Sequence, residues 1–192
     1  MVHKIIAVSA AFLAISAGAA QSASAANLLT NGSFESPGCA SSCVLNTPAQ
    51  ANAITGWTTF LSGAEYFNLP AQISGSSAAD GVDIVDLANN IYRNGGGLQQ
   101  NFATTVGARY RLTFSAGNSK YAGRAGTGII QVKVAGQSTS FETPVATSST
   151  VVWGTVTYDF TAKSDQTTLS FWNEQDPYNY FAFIDKVSVE RL

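Results

Sequence analysis

Arg109-Tyr110-Arg111-Leu112-Thr113-Phe114-Ser115 reads as a strand with two unlike faces. Successive side chains of an extended chain point to opposite sides, so Tyr110, Leu112 and Phe114 share one face. Arg111, Thr113 and Ser115 share the other. The same period of two recurs along the chain. Ile130, Val132 and Val134 alternate with Gln131 and Lys133, and Val156, Tyr158 and Phe160 alternate with Thr155, Thr157, Asp159 and Thr161. Leu98, Gln100 and Phe102 repeat the pattern more weakly. Strands of this kind bury one face and solvate the other. Breaks rich in glycine separate them, among them Asn94-Gly95-Gly96-Gly97 and Ala122-Gly123-Arg124-Ala125-Gly126. No segment beyond residue 26 carries a 3.6-residue apolar stripe. The pattern predicts an all-β protein, an antiparallel sandwich of about eight to ten strands.

The first 26 residues stand apart from this pattern. Lys4 precedes an apolar run from Ile5 to Ala20, and Ala23-Ser24-Ala25-Ala26 supplies small residues for cleavage. That order reads as a secretory signal peptide, and the run is shorter than the ~20 apolar residues of a membrane span. Residues 27–192 are then one β-sandwich domain. The expected destination is the periplasm, the cell surface or the medium. Cleavage would also remove His3, the sole histidine. Ser-His-Asp and Cys-His catalysis, and histidine-ligated metals, lose an essential part.

Without Lys4 the chain carries nine Lys and Arg against twelve Asp and Glu, with no basic cluster. Nucleic acid and anionic membranes are therefore poor partners. Charged residues make up only 11% of the chain, so its surface is polar through hydroxyls and amides. Such surfaces suit exported β-proteins and neutral polymers alike. Cys39 and Cys43, in Cys-Ala-Ser-Ser-Cys, are expected to form a short-loop disulfide in an oxidising compartment.

Four segments, in order, carry a family resemblance. They are Asn27-Leu28-Leu29-Thr30-Asn31-Gly32-Ser33-Phe34-Glu35; Ile54-Thr55-Gly56-Trp57 with Glu65-Tyr66; Gly97-Leu98-Gln99-Gln100-Asn101-Phe102 with Tyr110 to Asn118; and Phe183-Ile184-Asp185-Lys186-Val187-Ser188-Val189. The series resembles the galactose-binding-like superfamily. It is most similar to the uncharacterised domain shared by plant cell-wall proteins and bacterial exported proteins, including the choice-of-anchor C group. The resemblance implies a jelly-roll β-sandwich that binds cell-wall or extracellular-matrix polysaccharide. One departure is Tyr180-Phe181-Ala182-Phe183, where relatives often carry a Gly-Pro-like pair.

The resemblance also implies a structural calcium between the first and last strands. Glu35 and Asp185 match its ligands by motif, and Asn31 with nearby carbonyls would complete an oxygen shell. Two other readings of Asp185 stand beside this one: a β-bulge that turns it outward, or a hydrogen bond to loop backbone. No organic cofactor is implied.

Sugar recognition needs flat aromatic faces beside amides or carboxylates. Trp172, Asp176, Tyr178, Asn179 and Tyr180 supply both within one stretch, and Tyr92 and Tyr121 lie in two further polar segments. Trp57 reads instead as a plug at the sandwich edge and Trp153 as core or core rim, and Asp83 and Asp86 as solvated or turn-capping residues. The favoured function is a non-catalytic carbohydrate-binding module whose partner is a polysaccharide. The alternative is a structural or adhesive surface protein with a protein partner. A glycoside hydrolase working through two carboxylates is the third reading, since that chemistry needs no histidine.

Overall fold

The structure, a computed structural model, describes residues 26–88 and 95–192. The signal segment and Tyr92 therefore lie outside the described residues. Eleven strands are present among the described residues, slightly more than the expected eight to ten. They are β1 (Ser42–Leu45), β2 (Thr58–Leu61), β3 (Ala64–Asn68), β4 (Asp83–Asp86), β5 (Gly96–Ala103), β6 (Arg109–Asn118), β7 (Ile129–Val134), β8 (Gln137–Glu142), β9 (Val152–Thr161), β10 (Gln166–Trp172) and β11 (Phe183–Arg191). The short β1 and β2 pieces carry no long alternation, which is why the period of two passes over them.

The strands form two antiparallel sheets. One has six strands in the order β1-β3-β4-β11-β6-β9, the other five in the order β2-β5-β10-β7-β8. The alternation holds where it was read. Tyr110, Leu112 and Phe114, Ile130, Val132 and Val134, and Leu169 and Phe171 all point into the space between the sheets. Phe114 and Phe171 meet edge to face there, with ring centroids 5.0 Å apart, the geometry that aromatic quadrupoles favour. Trp57 is buried against Phe34 and Phe171 within the main core, a structural rather than ligand-facing place, deeper than the edge plug expected of it. Gln100 also points inward. Its amide is satisfied by bonding both to the Thr30 N–H (2.7 Å) and to the Thr30 carbonyl (2.9 Å), which ties the N-terminal segment to the sandwich. Cys39 and Cys43 are joined in the expected disulfide.

The outer faces of the two sheets differ. On the six-stranded sheet, Phe67, Ile84 and Phe183 point outward and meet Leu69, Ile73 and Phe181 in a second, smaller apolar cluster. The segment 69–82, which begins with the one-turn helix α1 (Leu69–Gln72), closes over them. Trp153 seals its edge, donating its indole N–H to the Ser77 carbonyl at 2.8 Å. Among the described residues no such cover lies over the five-stranded sheet.

Candidate functional site

The uncovered sheet face follows from strand register. Directly paired residues in a sheet point the same way. Phe60, Gly97, Trp172, Gln131 and Ser140 therefore form one outward row across β2, β5, β10, β7 and β8. Thr58, Gln99, Ser170, Lys133 and Ser138 form the next. Phe60 and Trp172 are half-buried and flank Gly97. A Cβ placed on Gly97 would lie 2.6 Å from the Phe60 ring, so the absent side chain is what lets that ring lie over β5. Asn101 and Thr168 continue the polar face, hydrogen-bonded to each other at 2.6 Å. The side chains of Gln99, Gln131, Lys133 and Ser170 have no hydrogen-bond partner among the described residues. A hollow of about 500 Å³ runs along this face, lined by Gln99, Lys133, Lys163, Gln166, Thr168 and Ser170 among others. Two outward aromatics beside unspent amides and hydroxyls can stack a sugar ring and bind its rim.

Trp172, Asp176, Asn179, Tyr180 and Tyr121 each have neighbours of their own. Trp172 donates its indole N–H to Glu174 at 3.1 Å, which steadies the ring at the end of the sheet. Asp176 and Asn179 are spent on a turn. Asp176 accepts the Tyr178 N–H at 3.0 Å and the Asn179 side-chain amide at 3.1 Å, while the Asn179 carbonyl accepts the Ala125 N–H. Tyr180 packs its ring on Gly126, whose missing side chain makes the room. Tyr178 is 53% exposed at the tip of this turn. Tyr121 lies on the side of the six-stranded sheet, in a small cleft with Glu65, Phe67, Arg124 and Phe181. Arg124 is buried there, its guanidinium 3.7 Å above the Phe181 ring and 3.7 Å from the Asp86 carboxylate.

The expected calcium ligands have other partners. Glu35 accepts the Val82 and Asp83 N–H groups with one oxygen, at 2.9 and 2.8 Å. Asp185 is fully buried and accepts the N–H groups of Asp80 (2.9 Å) and Lys186 (2.6 Å). A register shift follows Asp185 in β11, where Lys186 has φ 51°. The bulge leaves Asp185 facing the 79–80 backbone rather than solvent. Asn31 is engaged elsewhere, closing the 31–36 loop through Ser36 and Thr55. Glu35 and Asp185 thus grip the two halves of one turn, 79–83, by its amide hydrogens. Among the described residues no group of three or more His, Cys, Asp or Glu is placed to hold a metal ion. As they stand, these donors do not fit a shared calcium shell. The expected result of EDTA treatment and calcium reloading is an unchanged melting temperature. A fall and recovery of several degrees would show that both carboxylates exchange amides for a cation.

Of the two readings of Asp83 and Asp86, solvated or turn-capping, the first fails because both are buried, while Asp86 does cap the turn that follows it. Burial pushes both carboxyls above the usual range, Asp86 to about 6, and Glu35 adds repulsion at Asp83. Asp86 accepts the Ala88 and Ala182 N–H groups, so it pins the strand ends.

A family model described as "Protein of unknown function (DUF642)" matches residues 27–190. The chain belongs to the DUF642 family. No curated protein sequence matches it. Solved structures similar to this DUF642 domain include TmCBM61 in complex with β-1,4-galactotriose, at 17% identity and a TM-score of 0.54, covering 87% of this chain and 99% of that one. A CBM4 structure matches at 17% identity and a TM-score of 0.50, over 85% and 99% of the two chains. Arabinose-bound MgGH51 α-L-arabinofuranosidase matches at 12% identity and a TM-score of 0.53, with 88% of this chain covering 27% of that one. The fold of this chain is thus the jelly-roll β-sandwich that the resemblance implied. Phe60, Gln99, Gln131, Lys133 and Ser170 of this candidate face are not among the residues that the sequence pointed to. The signal for four of them was present as the polar half of each alternation, but nothing local distinguishes a solvated face from a binding one.

Proposed function

We propose that the protein is an exported, non-catalytic carbohydrate-binding domain whose polysaccharide ligand lies across the outer face of the five-stranded sheet. The observation that carries this reading is the outward row of Phe60, Trp172 and Gln131 beside Gln99 and Ser170, where the side chains of Gln99, Gln131 and Ser170 have no hydrogen-bond partner among the described residues. A pyranose packs its C–H face on an aromatic ring while its hydroxyls take up such amides. The similar folds of carbohydrate-binding modules agree with this use of the fold. The disulfide agrees with an oxidising compartment, and no helix among the described residues is long and apolar enough to cross a membrane. The carboxyls pushed upward by burial, Asp83, Asp86 and Asp185, all lie inside the protein, out of a substrate's reach.

The test is retention of the purified protein on a panel of soluble and insoluble polysaccharides. The variants are Trp172→Ala and a Tyr178→Ala, Tyr180→Ala double mutant. Retention that is lost in the first and kept in the second places the ligand on the sheet. The reverse result moves it to the 173–182 loop. No retention on any glycan would overturn the reading in favour of a protein partner.

A further inference from the structure

We infer that the sheet-face site takes an acidic glycan, with carboxylate groups held by Lys133 and Lys163; this rests on the reading of that face as a glycan site. Eight Lys and Arg lie among the described residues. Arg109 and Arg111 are paired with Asp159, and Arg124 faces Asp86. Lys120, Lys133, Lys163, Lys186 and Arg191 have no ion-pair partner among the described residues, and of these Lys133 and Lys163 line the same hollow. No Asp or Glu lines that hollow with them; the rest of its wall is amide, hydroxyl, Ala135 and Gly136. In a chain with more acids than bases, two unpaired ammonium groups in one acid-free hollow form a site of defined sign.

The register says which part of a ligand they would meet. Lys133 pairs with Ser170, and Trp172 lies two residues further along β10, so the two are diagonal neighbours on one face. Diagonal neighbours sit about 7–8 Å apart, within the span of one sugar ring and a lysine stem. The Lys163 ammonium hangs over the Ala135–Gly136 turn, 4.0 Å from where a Gly136 Cβ would stand. Glu174 and Glu142 lie toward the other end of this face, and Asp165, in the exposed turn between Lys163 and Gln166, does not line the hollow. Glu174 holds the Trp172 indole, and Glu142 ends β8. The face therefore stacks a ring at the Trp172 end and receives negative charge at the lysine end. Each exposed ammonium–carboxylate contact is weak alone, but a polymer offers both lysines a carboxylate at once.

The experiment compares polygalacturonate and alginate, each with its methyl-esterified form, by calorimetric titration of the full protein at 50 and 500 mM NaCl. Dextran sulfate serves as a generic polyanion. At 50 mM salt an acidic polymer is expected to bind about tenfold tighter than its ester. Lys133→Gln and Lys163→Gln should each cost about three- to fivefold, and the double variant should bind acid and ester alike. High salt should erase the same preference. Equal binding of acid and ester by the wild type, or a preference that survives in the double variant, overturns the charge assignment. Dextran sulfate bound as tightly as the uronates, without loss in Trp172→Ala, overturns it too. The outcomes separate the two readings: ester binding that is lost in Trp172→Ala keeps the glycan site while the lysine role falls. Failure of every polymer, acidic or esterified, removes both.

Discussion

Replacing Trp172 by alanine is expected to weaken glycan binding by about thirty- to a hundredfold while leaving the melting temperature within a degree or two. The ring belongs to the outward row of β10, one residue beyond core Phe171, so its loss opens no cavity between the sheets. Its energetic weight lies in the ligand. A buried aromatic contact at the centre of a site is worth on the order of 2–3 kcal/mol, and each 1.4 kcal/mol is tenfold in affinity. Phe60, on the far side of Gly97, should matter less, because its ring lies over β5 and is partly covered. Trp172→Phe should retain part of the affinity, since a smaller flat ring remains. The measurement is calorimetric titration with whichever polysaccharide retains the wild type. Unchanged affinity in Trp172→Ala would remove the sheet face as the binding surface.

The second large effect is on stability, through Asp185. Its carboxyl is fully buried, and burial pushes it up to about 7, against the pull of the backbone N–H groups of Ala79, Asp80 and Lys186. An unfolded aspartate loses its proton near pH 4. Between about pH 4 and pH 7 the folded state thus binds more protons than the unfolded state, and stability falls as pH rises through that window. Asp86, raised to about 6, and Asp83, also raised, act in the same direction. The melting temperature is expected to drop by on the order of 5–10 °C between pH 4.5 and pH 7.5. Asp185→Asn should flatten part of that slope. It should also cost about 3 kcal/mol, because the new amide turns its own N–H toward N–H donors and leaves the 79–80 turn unsatisfied. Calorimetric scans of both proteins across this range check the two expectations together. A wild-type melting temperature that is flat or rises with pH would show that these carboxylates are ionised in the fold even in acid.

What the sequence determined by itself is everything governed by neighbours one and two residues away. Alternation at 109–115 and 130–134 correctly assigned which side chains of each strand meet the core, because extended backbone geometry makes that assignment locally. The resemblance of the ordered segments supplied the jelly roll, and Cys39 and Cys43 lie close enough in the chain for their pairing to be read directly. The site was not legible in this way. Gln99, Ser170 and Lys133 stand side by side only because β5, β10 and β7 are neighbours in one sheet, and strand order is set by packing between distant segments. Likewise, alternation gives both sheets a polar or mixed outer face, but only the tertiary path of residues 69–82 covers one and leaves the other open. Asp185 shows the same limit: its motif suggested a cation, and the chain that folds over it brings amide hydrogens to its buried carboxyl.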